Sequence, residues 1–134
     1  MIGGRVLDVS ALVDYGTGRV YVRALVGAAV RSGGLVLAVP AAALVAARGR
    51  LSESGRAALD ELVRLAPVVV VELTFEVAAR AGDLLARARQ RPTGDVTSAA
   101  QVALTSRVRA WPVVTSEPGP LLALDGALEI DALP

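Results

Sequence analysis

Short continuous apolar runs alternate along this chain with stretches whose apolar residues recur every three or four positions. Val6-Leu7-Asp8-Val9-Ser10-Ala11-Leu12-Val13 is the first run and reads as a strand bound for the middle of a sheet. Val22, Leu25, Val26, Ala29 and Val30 then follow helical spacing, stopped by Ser32-Gly33-Gly34. Leu35 to Val39 is a second buried strand, and Pro40 opens an Ala-rich helix to about Arg48. Ser52 caps a helix bearing Leu59, Leu62, Val63 and Ala66 on one face, and Pro67 ends it before the third strand, Val68 to Val71.

The second half repeats the alternation. Thr74 caps a helix with the stripe Val77, Ala78, Ala81, Leu84, Leu85 and Ala88; Arg91-Pro92-Thr93-Gly94 breaks the chain. Asp95 begins a helix carrying Val96, Ala99, Ala100 and Ala103. Trp111 to Thr115 reads as a fourth strand, with Trp111 packing at its entry, and Leu128 to Asp131 alternates as a half-exposed edge strand does. Gly16-Thr17-Gly18 is a turn, because no strand and no third glycine make it a dinucleotide loop. The expected fold is α/β, a three-layer α/β/α sandwich around a mostly parallel sheet of four to five strands. No linker or repeat divides residues 1–134, so one domain is expected.

Composition narrows the chemistry. Apolar residues make up 54% of the 134 positions, nearly all Ala, Val and Leu, which suits close packing of helices on a parallel sheet. There is no Cys and no His, and all 14 basic residues are Arg. That removes disulfides, Cys/His zinc sites, Ser-His-Asp and Cys-His nucleophiles, P-loops and Schiff-base lysines. Carboxylate, hydroxyl and Arg chemistry remains, with hard-metal catalysis at its head. A net charge of +1 does not argue for nucleic-acid binding by itself. Leu35 to Ala47 is split by Pro40 and falls short of a membrane span, and the N-terminus lacks the pattern of a signal peptide, so a soluble, cytoplasmic protein is expected.

Three acids fall where a parallel sheet places its functional crevice, beyond the carboxyl ends of the strands. Asp8 lies near the end of the first strand, Glu117 follows the fourth, and Asp95 heads the helix leading into it. Brought together they would repel, by up to about 4 kcal/mol per pair at 4 Å and an effective dielectric of 20. Mg²⁺ or Mn²⁺ would relieve that repulsion and activate a bound water. Each acid also has a plainer reading: Asp8 as the cap of a helix starting at Val9 or Ser10, Asp95 as an ordinary N-cap, Glu117 as a solvated turn residue. Arg87, Arg89 and Arg91 form a small basic cluster that reads first as a solvated helix end.

In their order these segments resemble PIN domains, the family containing the VapC-type toxins of bacterial toxin–antitoxin pairs. Val6-Leu7-Asp8-Val9-Ser10-Ala11-Leu12 is similar to the family's opening, and Gly94-Asp95-Val96-Thr97-Ser98-Ala99-Ala100 to its third acidic motif. Trp111-Pro112-Val113-Val114-Thr115-Ser116-Glu117-Pro118 resembles the final strand and Thr-Ser-Asp-Pro segment, with Glu in place of Asp. The resemblance implies a Mg²⁺-dependent ribonuclease site with Asp8, Asp95 and Glu117 as metal ligands and Ser10 and Thr115 as orienting hydroxyls. It also implies an RNA substrate, an antitoxin partner and a homodimer. One departure stands out: the Glu usual in the helix after strand two aligns with Ala46, and no acid lies between Asp14 and Glu53. Asp14 and Glu72 are conceivable replacements. A non-catalytic scaffold of the same fold is the rival reading, and a flavodoxin-like domain whose acids only cap helices is a third.

Overall fold

The computed structural model describes residues 3–134. Five strands, β1 (Gly3–Leu7), β2 (Leu35–Pro40), β3 (Val68–Val71), β4 (Val113–Thr115) and β5 (Ile130–Ala132), form one sheet in the order β3-β2-β1-β4-β5. Every neighbouring pair is parallel. Among the described residues seven helices connect and cover them: α1 (Val9–Gly16), α2 (Val20–Ser32), α3 (Ala41–Arg48), α4 (Glu53–Leu62), α5 (Phe75–Arg87), α6 (Val96–Arg109) and α7 (Pro118–Leu124). The chain builds outward from β1 to β3, then returns to lay β4 on the other side of β1. With right-handed crossovers, that reversal sends helices to both faces of the sheet. The expected α/β/α architecture is the one observed, and the sheet is parallel throughout.

The core follows from composition. Val6, Leu7, Leu37, Val39, Val113 and Val114 on the three central strands are fully buried, each worth about 1.5–3 kcal/mol of transfer free energy. Small residues let the helices approach: Ala11 of α1, Ala43 and Ala47 of α3 and Ala103 of α6 are also fully buried. Gly4 shows the same economy on β1, since a Cβ there would run into the Trp111 ring. Trp111 therefore does pack at the entry to β4, half-buried, with the Arg109 guanidinium 5.7 Å from its ring centre.

Two expectations change. The run Val6 to Val13 is not one strand: β1 ends at Leu7, and α1 takes Val9 onward, the plainer reading of Asp8 as a helix cap. The physical reason is Asp8, whose side chain accepts the Ala11 N–H and so starts a helix instead of extending a strand. The Glu117-Pro118-Gly119-Pro120 segment is not an open turn either. It begins α7, with Pro118 in the first-turn position that tolerates a missing N–H.

Candidate functional site

The sheet reverses direction between β1 and β4, and the crevice at such a reversal, outside the carboxyl ends of the strands, is where open α/β sheets bind ligands. Asp8 leaves β1 and Glu117 leaves β4 at that point. A cleft of about 170 Å³ opens there, and Asp8, Ser10, Asp95, Ser98, Glu117 and Arg50 all contribute to its lining. Residues from the start, middle and end of the chain thus meet at one place.

Each acid is held by its own local structure. Asp8 is buried, and its Oδ1 accepts the Ser10 hydroxyl at 2.7 Å and the Ala11 N–H at 2.9 Å. Burial pushes its carboxyl above the ordinary range, with the nearby Glu117 charge adding to the rise; donors from Thr115, Ala11 and Ser10 partly counter it. Asp95 is exposed and caps α6, accepting the Ser98 N–H at 3.2 Å and the Ser98 hydroxyl through its other oxygen. Glu117 is exposed, stands at the N-cap position of α7 and makes no capping bond with its side chain. For Asp8 and Asp95 the capping and cleft-lining readings both hold, because a helix N-terminus that opens beside the sheet's carboxyl edge puts its cap residue in the crevice.

Hydroxyls stitch the β1 and β4 ends together. Ser10 Oγ accepts the Ser116 N–H at 2.9 Å and lies 3.4 Å from Thr115 Oγ1, while Thr115 Oγ1 accepts the Glu117 N–H at 2.8 Å. These bonds fix the β4–α7 turn against α1 and set the approach of Glu117 to Asp8.

The donor set suits a hard divalent cation in kind, since it is all oxygen. It falls short in number: among the described residues no three acids stand together closely enough to hold a metal ion. Asp8 and Glu117 sense each other, Asp95 spends both oxygens on Ser98, and α3 presents Ala46 where the resemblance expects a Glu. Neither conceivable replacement reaches the cleft. Asp14 borders a separate hollow beside Tyr21 and Pro134, and Glu72 is exposed beyond β3.

Two residues of this region escaped the sequence reading. Gln101 is fully buried on α6; its Oε1 accepts the Ala42 N–H at 2.8 Å and its Nε2 donates to the Val71 carbonyl at 2.9 Å. It therefore caps α3, whose own N-cap residue, Pro40, makes no side-chain cap bond, and ties it to the end of β3. An amide between Ala100 and Val102 on a small, apolar helix face was the available signal. Arg50 was the other, four positions beyond Ala46.

The fold and the cleft together describe an α/β/α domain with an acid-lined crevice at the switch point of a five-stranded parallel sheet. No family model matches the chain, and no curated protein matches it. Solved structures do. VapBC2 from Rickettsia felis, bound to a DNA fragment from its promoter, superposes with a TM-score of 0.71 at 10% identity, over 98% of this chain and 99% of that one. VapC20 from Mycobacterium tuberculosis, described as a sarcin–ricin loop cleaving toxin, gives 0.59 at 17% identity, over 81% and 86%. The fold is that of VapC-type toxin structures, as the motif resemblance led one to expect.

Proposed function

We propose that this chain is a VapC-like PIN-domain ribonuclease of the toxin type, working through a weakened acidic site. The observation that carries this reading is the meeting of Asp8, Asp95 and Glu117, with Ser10 beside them and Thr115 bonded into the same network, in one crevice at the sheet's switch point. The substrate class is RNA. A divalent ion, Mg²⁺ or Mn²⁺, would supply an activated water and charge relief at phosphorus. Asp8, Asp95 and Glu117 line the cleft that it would enter, and its affinity would be low, because the three acids do not stand together closely enough to share an ion as they are placed and Ala46 offers no fourth carboxylate. Ser10 and Thr115 keep the Asp8 carboxylate oriented. An antitoxin-like protein as partner, a homodimeric state and a cytoplasmic location belong to the same reading, and among the described residues no helix is long and apolar enough to cross a membrane.

The test is cleavage of single-stranded RNA with Mn²⁺, comparing the parent with Asp8→Asn. Slow, metal-dependent products from the parent and none from the variant are expected. Equal background from both ends the catalytic reading. The lack of a three-acid group among the described residues and the Ala at position 46 favour one rival, a PIN-fold scaffold that binds RNA or an antitoxin-like protein without cutting it. That rival requires binding by the parent with no products at any Mn²⁺ concentration.

A further inference from the structure

Arg50 is the single basic residue lining the cleft among the described residues. We propose that it is the substrate-binding cation of this site, contacting a phosphodiester of the RNA; the inference rests on the ribonuclease-fold reading above and names the group that admits its substrate.

Charge sets the problem. Asp8, Asp95 and Glu117 make the cleft a poor place for a polyanion, and without a complete set of metal ligands the chain has little cation to offset them. A guanidinium answers this directly. It stays charged at any working pH, and its planar fork matches the non-bridging oxygens of a phosphate.

The neighbouring arginines are committed elsewhere. Arg48 pairs with Asp60 at 2.5 Å, and Arg56 donates to the Leu51 carbonyl at 2.8 Å. Arg50 is exposed and forms no ion pair among the described residues.

Its backbone, by contrast, is fixed. The Arg50 N–H bonds to the Ala47 carbonyl at 3.0 Å, and the Leu51 N–H to the Arg48 carbonyl at 3.3 Å. The Leu51 side chain is buried and anchors the turn between α3 and α4. An exposed guanidinium with no ion pair among the described residues, on a hydrogen-bonded turn at the wall of the acid-lined cleft, is free to meet a phosphate there.

The experiment measures RNA binding, not cleavage. A fluorescently labelled single-stranded oligoribonucleotide is titrated in EDTA, across a series of salt concentrations, with the parent, Arg50→Gln, Arg50→Lys and Arg48→Gln. Loss of one phosphate contact should weaken binding by about tenfold and lower the slope of log K against log salt by about 0.7. Arg50→Lys should recover the slope and part of the affinity, and Arg48→Gln should match the parent. Parent-like affinity and slope in Arg50→Gln overturn this inference and leave the ribonuclease reading standing. A parent that binds no RNA in EDTA also overturns this inference, and the ribonuclease reading is then decided by the Mn²⁺ cleavage assay alone. Circular dichroism of Arg50→Gln, an exposed site, checks that any loss is not unfolding.

Discussion

The Ser10 hydroxyl accepts the backbone N–H of Ser116 at 2.9 Å, across 106 positions of chain. The same oxygen donates its proton to Asp8 Oδ1 at 2.7 Å, so one small side chain joins the start of α1 to the turn after β4. The site exists because these two strand ends are held together.

Ser10→Ala tests that junction. It removes a hydrogen bond to a carboxylate, worth about 2 kcal/mol, and it leaves the Ser116 N–H to solvent. Urea unfolding should show a loss of that order with an unchanged m-value. A loss below about 0.5 kcal/mol means that the two strand ends hold their spacing without it.

Asp8 should write its burial into the pH dependence of stability. Its folded carboxyl lies above the ordinary aspartate value, chiefly through desolvation, so the fold favours the protonated form. That contribution is fully present below the unfolded pKa and is lost as pH rises through the folded one. Asp8→Asn keeps a capping oxygen and carries no charge to desolvate. The variant should therefore be more stable than the parent at pH 7, with the gap closing as pH falls toward 4. Unfolding midpoints that stay equally separated from pH 4 to 7.5 contradict it.

Gln101→Met keeps the volume and strips the polar contacts. The Ala42 N–H and the Val71 carbonyl lose their partner in the interior, at a cost of roughly 3 kcal/mol for the two. Chemical denaturation reads the loss. Hydrogen exchange at Ala42 locates it, and exchange as slow as the parent's would show that α3 is capped by another group.

Ala46→Glu restores a carboxylate to α3, one helical turn before Arg50. Titration calorimetry with Mn²⁺ should register tighter binding than in the parent, and RNA cleavage should rise with it. No change in either measurement means that the missing ligand does not map to this position.

The alternation of apolar runs and helical stripes determined the fold class, the parallel sheet and most of the helices, because burial pattern is a local property of sequence. It also singled out Asp8, Asp95 and Glu117, since an acid at the end of a buried strand or the head of a helix is visible without a partner. Where β1 stops was not legible. Val9, Leu12 and Val13 suit strand and helix alike, and only the Asp8 cap bond to Ala11 decides between them. Tertiary structure alone decided the rest: that Ser10 reaches Ser116, that Gln101 caps a helix 59 positions away, and that Arg50 enters the cleft while Arg48 turns to Asp60. The first depends on β1 and β4 lying side by side, the second on α6 packing against α3, and the third on how α3 meets α4; contacts between separate segments leave no periodic mark on either one.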